Sequence, residues 1–243
     1  MSFRIFVAGG SGAVGRRLLP LLFEAGHAVA GTTRSAEKAA ALRALGAEPV
    51  VVDVLDTAAL SRAVASFRPD VVVHQLTDLP PGLDPGGMQA ALPRNARLRD
   101  EGTKNLVRAA LAAGARQLVA QSILWAYAPG PEPHPEEDPL DRAAEGARGT
   151  SVRGVVALED HVLSSTLQGA VLRYGHFYGP GTGFDQPRGA SPLHVDAAAY
   201  AAVLAVEKSA RGVFNIAEPN AYAKTTKAAS VLGWNAAFRM SPR

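Results

Sequence analysis

The sequence predicts a doubly wound α/β fold: a parallel sheet with helices on both faces and a small C-terminal substrate lobe. Three observations carry that expectation. Short β-rich runs alternate with longer runs of helical period, the pattern of right-handed strand–crossover–strand units. The first two helical runs each stop at a glycine, Gly26 and Gly46, as helices closed by a left-handed residue do. The first strand runs directly into glycines spaced three apart, Gly9, Gly12 and Gly15. A chain of 243 residues suits one sizeable unit, expected as a core over 1–175 and a small lobe over 176–243 packed on it.

Taken in order, Phe3 to Ala8 reads as a strand and Ala13 to Ala25 as a helix. His27 to Thr32, Pro49 to Val54, Val71 to Gln75, Gln117 to Gln121 and Ala170 to Tyr174 read as the next five strands. Between them the pattern predicts helices over Ala36 to Leu45, Thr57 to Phe67, Arg94 to Ala113 and Val152 to Leu167. Beyond the sixth strand it predicts a helix over Val195 to Lys208, a short strand over Val213 to Ile216 and a last helix over Thr225 to Leu232. Leu79 to Gly87 and Pro129 to Gly149 read as loops, the second holding the proline-rich, acidic run PGPEPHPEEDP. Both follow strand C-termini, the edge where such sheets bind ligands, and both are candidate lids.

Composition narrows the function classes. The chain is 47% hydrophobic and 19% charged, with a net charge of +3, an ordinary globular composition. Its basic residues are scattered and not interleaved with aromatics, so nucleic acid is not an expected partner. No apolar run approaches the length of a membrane span, and the N-terminus does not read as a signal peptide. There is no cysteine, hence no disulfide framework, thiolate nucleophile or thiolate metal site. No His, Asp or Glu set has ligand spacing, so no metal is expected. A cytoplasmic location and a small-molecule substrate fit these features; a homodimer is the one protein association left open.

The glycines carry the first chemical reading. In G-x-x-G-x-x-G between a strand and a helix, one glycine permits the tight turn and another lets backbone approach a pyrophosphate. The third lets helix and strand pack closely, while the helix N-terminus, with Ala13 and Val14, faces the phosphates. This is the dinucleotide site of a Rossmann fold. The end of the second strand then selects the dinucleotide. NAD binders place a carboxylate there for the ribose hydroxyls, but this chain reads GTTRS, with no acid before Glu37. Arg34 can hold a 2′-phosphate bidentately, with Thr33 and Ser35 as hydroxyl donors, and Ser11, Arg16 or Arg17 can assist. NADP(H) is the expected cofactor and NAD(H) the alternative.

These residues resemble the short-chain dehydrogenase/reductase superfamily, in particular its extended branch of NAD(P)-dependent epimerases and dehydratases. VAGGSGAVGRRLLPLLFEAGH is similar to that branch's opening, and VVDVLD to its third-strand motif. The resemblance implies that Asp53 bonds the adenine amino group and Val54 packs on the ring. VVHQLT is similar to the fourth-strand motif, whose backbone at Gln75, Leu76 and Thr77 would line the nicotinamide-side ribose. EGTKNLVRAALAAGARQLVAQS resembles the long helix and fifth strand, which brings Gln121 to the site. LRYGHFYGPG, the stretch from SPLHVD to IAEP, and VLGW resemble the sixth-strand exit and C-terminal lobe.

The resemblance stops at the dyad. The family's acid–base pair is a tyrosine and a lysine at i, i+4 on the helix after the fifth strand, with a serine at the end of that strand positioning the substrate oxygen. Ser122 matches the serine. With Glu159 aligned to the acid that often ends the pattern, Ser151 stands at the tyrosine position and Val155 at the lysine position, and Y-x-x-x-K occurs nowhere in the chain. In the long helix, Arg99 stands where the family commonly has asparagine.

Tyr127, five residues after Ser122, is the substitute phenol by sequence. His134 and His176 are the histidine candidates for an acid or base by sequence. Arg173 and Tyr178, at the sixth-strand exit, are expected to shape the substrate pocket, and His194 with Asp196 to tie the lobe to the sheet. The expected function is an NADP(H)-dependent reductase lacking the usual dyad. A non-catalytic NADP(H)-binding sensor or regulatory protein, and a nucleotide-sugar epimerase or dehydratase, are the alternatives.

Overall fold

The computed structural model describes residues 2–241. Strand β1 (Arg4–Ala8) shows why the sheet is buried on both faces. Its side chains alternate, Ile5 and Val7 entering one apolar cluster and Phe6 and Ala8 the other, so a fully apolar strand is required. Around it, β2 (Ala28–Thr33), β3 (Glu48–Val51), β4 (Val71–His74), β5 (Gln117–Ile123), β6 (Gln168–Tyr174) and β9 (Gly212–Ile216) complete a seven-stranded sheet in the order β3-β2-β1-β4-β5-β6-β9. Every pairing in it is parallel. A second, two-stranded sheet pairs β7 (His176–Tyr178) with β8 (Pro192–His194).

Helices α1 (Ala13–Glu24) and α7 (Val195–Glu207) pack together over one face, the alanines of α7 allowing close approach. Helices α3 (Thr57–Phe67), α5 (Thr103–Ala112) and α6 (Gly146–Leu163) cover the other. A short α2 (Ala39–Ala44) links β2 to β3. Because β9 is the seventh strand and α7 covers α1, the chain beyond 175 contributes to the core layers as well as to the lobe.

Several elements differ from expectation. The segment expected as a loop over Leu79 to Gly87 ends in helix α4 (Pro85–Arg97), capped by Asp84, whose carboxylate accepts from the Gly87 amide at 3.2 Å. Asp at the cap and Pro at the first helical position are favourable there. The expected long helix is thus longer at its start, and one wide π-helical turn, Leu98–Gly102, joins α4 to α5. Strand β3 ends at Val51, and Asp53 turns the chain by accepting from the Leu55 amide at 2.9 Å. The last expected helix is largely a π-helical turn, Ala228–Leu232.

Candidate active site

The order of strands reverses direction between β1 and β4, and that switch point opens a crevice at the carboxyl edge of a parallel sheet. A cavity of about 700 Å³ occupies it, extending from Arg34 and Lys38 at one end to Trp125 and Phe177 at the other.

The three glycines have different reasons for being glycine. Gly9 has φ +92°, and a Cβ on it would lie 2.6 Å from the Gln75 carbonyl oxygen. A Cβ on Gly15 would lie 2.3 Å from the Gly9 carbonyl oxygen, so the start of α1 rests directly on the turn. Both are demanded by the fold. Gly12 is not: its φ is −76°, and a Cβ would meet only the Gly9 carbonyl oxygen, at 3.4 Å. The space it leaves belongs to the cavity, at the N-cap of α1, where free amides and the helix dipole favour a phosphate. A cradle kept clear without any need from the protein's own packing fits a pyrophosphate. Arg16 braces the turn from outside, donating to the Ser11 carbonyl oxygen at 3.1 Å.

At the far end of β2, Thr33 accepts from the Ser11 hydroxyl at 3.3 Å and from the Ser35 amide at 3.2 Å. Arg34 lies along the cavity with its side chain 60% exposed, bonded to Asp78 at 3.1 Å. Arg94 holds the other oxygen of Asp78 at 3.2 Å. Lys38 adds a second cation to this end; sequence reasoning missed it, although a lysine one turn into the helix after β2 was a readable signal. Asp53 and Val54 line the cavity beside them.

Gln75, Leu76, Thr77, Gln121, Ser122, Ser151, Arg99 and Tyr174 also line the cavity. Gln121 donates to the Leu76 carbonyl oxygen at 3.2 Å, tying β5 to the loop after β4. The Ser122 proton goes to Glu159 at 2.6 Å. Glu159 is also held by Arg173 through two bonds of 3.0 and 2.7 Å. A hydroxyl has one proton, so Ser122 serves this buried pair and presents no donor to the cavity. Tyr174 likewise donates its proton away, to the Ala198 carbonyl oxygen at 3.1 Å, and burial pushes its pKa up.

A family described as NAD(P)H-binding matches residues 9–193. A 3-diazoavenalumate denitrifying reductase from Streptomyces sp is 44% identical over 237 positions, spanning 88% of this chain and 76% of that protein. The chain belongs to this NAD(P)H-binding family. Solved structures of the epimerase–dehydratase branch share the fold. A UDP-glucose 4-epimerase from Stenotrophomonas maltophila with bound NAD superposes with a TM-score of 0.77 at 18% identity, covering 98% of this chain and 94% of the other. One from Thermotoga maritima with UDP-glucose gives 0.77 at 19%, again covering 98% and 94%. The expectation of an atypical short-chain dehydrogenase/reductase relative therefore stands.

Set in this NAD(P)H-binding family's frame, the expected cofactor residues converge: Gly9, Ser11, Gly12, Ala13, Val14, Thr33, Arg34, Asp53, Val54, Gln75, Leu76, Thr77 and Gln121 all line one cavity. Of the expected chemical residues, Ser122 lines the same cavity with its proton committed to Glu159, and Tyr127 does not line it. Tyr127 is 1% exposed and outside the cavity. Its hydroxyl donates to Asn215 at 2.7 Å, its ring stacks on His134 at 4.9 Å, and the Arg173 guanidinium lies 4.8 Å from its centroid. Burial raises its pKa against the opposing pull of Arg173. The His134 contact comes from the loop after β5 folding back, where His134 also bonds Asp138 at 2.7 Å.

Arg173 is buried against Glu159 and Tyr178 bonds Glu218 at 2.6 Å, so neither reaches the cavity that they were expected to shape. His176 does line it, with its pKa lowered by burial and then by Arg188. His194 and Asp196 lie 3.8 Å apart, and Asp196 reaches Arg17 on α1 at 2.5 Å, a tie between lobe and core.

Proposed function

We propose that the chain is an NADP(H)-dependent reductase of a small organic substrate whose reduction requires no proton from the protein. The observation that carries this reading is a contrast within one cavity. The residues expected to hold a dinucleotide line it, while the dyad positions hold Ser151 and Val155 and the one lining tyrosine among the described residues, Tyr174, spends its proton on backbone.

When bound, the cofactor supplies a hydride; the chain's part is to place the reacting atoms and exclude water. The turn from Gly9 to Gly15 would hold the pyrophosphate. Arg34 and Lys38, with Thr33 and Ser35, would hold the 2′-phosphate, the phosphate competing with Asp78 for Arg34. Asp53 and Val54 would receive the adenine, and the backbone of Gln75 to Thr77 the nicotinamide-side ribose.

The name of the Streptomyces relative, a denitrifying reductase of a diazo acid, indicates a reaction of the required kind. A diazonium carbon that gains a hydride forms a C–H bond with the hydride's electron pair. The C–N bond breaks, its pair leaves on dinitrogen, and the positive charge is cancelled. Atoms and electrons balance without any proton, so a site stripped of its acid is adequate. A carbonyl, by contrast, leaves an alkoxide that an acid must meet.

A non-catalytic NADP(H) sensor is the second reading, favoured by the same missing acid. Titration with NADPH and NADH, followed by NADPH absorbance with a carbonyl panel and with 4-carboxybenzenediazonium, separates the two. Binding of NADPH with diazonium-dependent consumption above the uncatalysed rate supports the reductase. Binding without any turnover supports the sensor, and failure to bind either cofactor removes both.

A further inference from the structure

Arg99 is a buried cation without a counter-charge. It sits in the π-helical turn between α4 and α5, is 6% exposed, and lines the cavity. Among the described residues its side chain makes no hydrogen bond or ion pair. Burial lowers its pKa to about 10, with no neighbouring acid raising it, so it stays charged at neutral pH.

The surrounding acids are all committed elsewhere. In its own turn, Asp100 pairs with His161 at 2.7 Å and Glu101 with Arg97 at 2.9 Å. Glu159, on the facing helix, is held by Arg173 and Ser122. The acids that line the cavity, Asp53 and Asp78, are engaged too, the first by the Leu55 amide in the turn after β3 and the second by Arg34 and Arg94. His74, behind it, accepts from the Leu76 amide through Nδ1 at 3.2 Å and bonds Thr103 through Nε2 at 2.9 Å. That arrangement suits the neutral ring, and burial with the charge of Arg99 lowers its pKa to about 4.

Sequestering a guanidinium without an anion is unfavourable. A planar fork of donors turned to a ligand cavity is built for a carboxylate or a similar anionic oxygen. The apolar lining of the same cavity, Met88, Leu92, Leu98, Ile123, Trp125 and Phe177, suits a flat apolar body. We infer that Arg99 is the substrate-recognition residue of this cavity, pairing with the anionic oxygen of an aromatic organic acid. The inference rests on the proposal that the cavity is the substrate site and adds the class of substrate.

The test is calorimetric titration of the full chain with benzoate and with benzamide, its neutral counterpart, with and without saturating NADP+. The inference expects benzoate to bind the parent at least about tenfold tighter than benzamide. Arg99→Gln should erase the preference, Arg99→Lys should keep part of it, and NADP+ affinity should stay within about twofold of the parent's in both. A parent that does not prefer benzoate, or binds none at about 10 mM, overturns it. So does an Arg99→Gln variant that keeps the preference, or its loss only in Arg188→Gln, which would put the anion on the cavity-lining loop between β7 and β8. If NADP+ fails to bind while the cofactor-free titration still shows the Arg99-dependent preference, the reductase proposal fails and the anion site stands. Variant melting temperatures at or above the parent's show that lost affinity is not unfolding, since removing an unpaired buried charge should not destabilise the chain.

Discussion

Replacing Gly12 by valine separates the two jobs a glycine turn can do. A Cβ at position 12 would meet only the Gly9 carbonyl oxygen, at 3.4 Å, and the backbone φ of −76° is open to any residue. The cost to folding is then that of a poorer helix cap, about 1 kcal/mol. Against it stands a gain of about 0.4–1 kcal/mol from a stiffer unfolded chain. The two nearly cancel, and for a chain of this size about 1 kcal/mol moves the melting point by only about 2–4 °C. The branched side chain would nevertheless fill the space held open for the pyrophosphate, and NADPH affinity should fall by at least about a hundredfold, or about 2.7 kcal/mol. Gly15→Ala supplies the contrast: its Cβ would lie 2.3 Å from the Gly9 carbonyl oxygen and 2.7 Å from that of Gly10, so overpacking should cost about 1–3 kcal/mol or more. Thermal melts and NADPH titration on both variants decide the matter. A Gly12→Val protein that binds NADPH like the parent would refute the cradle, and one that melts far below it would show Gly12 to be structural.

Further outcomes follow from the same geometry. Arg34→Ala should remove most of a preference for NADPH over NADH of at least about tenfold, measured by titration; equal affinities in the parent would refute the 2′-phosphate assignment. Tyr127→Phe should leave NADPH-dependent turnover unchanged while lowering stability by about 1–3 kcal/mol, because the Asn215 side-chain oxygen loses its buried donor; a fall in rate with unchanged stability would return Tyr127 to the chemistry. Stability should also depend on His74. Its folded pKa is lowered to about 4, by burial first and then by Arg99, so the unfolded chain takes up a proton below about 6.5 while the folded one does not. Stability is therefore complete above about pH 6.5 and falls as pH drops towards 4, by about 3 kcal/mol. Urea melts across that window should show a smaller slope for His74→Gln; an unchanged slope would mean that the ring is not neutral and sequestered. His27, His176 and His194, whose pKa values are also lowered by burial, contribute to the slope in both proteins.

The cofactor half of the site was legible because its residues are adjacent in sequence to strand ends: glycines after β1, GTTRS after β2 and VVDVLD after β3 each declare their place. The start of α4 was equally declared by Asp84 and Pro85, but Gly86, Gly87 and Pro93 obscured it. Burial was the part the sequence could not reveal. Tyr127 and Arg173 look like pocket residues by position, yet the folded-back loop turns both into a buried network with Asn215, Glu136 and Glu159. The pairing of β7 with β8 joins short segments separated by a glycine-rich loop, and no periodicity marks it. Arg99 was visible as a departure from the family's asparagine; that it faces the cavity depends on the π-helical turn, which has no sequence signature.

In the proposed reaction a hydride reaches the substrate without a proton from the protein. NADPH carrying deuterium at C4, with one stereochemistry per sample, should be incubated with the protein and 4-carboxybenzenediazonium in ordinary water. Dinitrogen release, one NADPH consumed per benzoate formed, and ring deuterium at the former diazo carbon from one label position only are expected, at a rate above the protein-free control. Hydrogen from solvent at that carbon, or NADPH loss no faster than in the control, would contradict it.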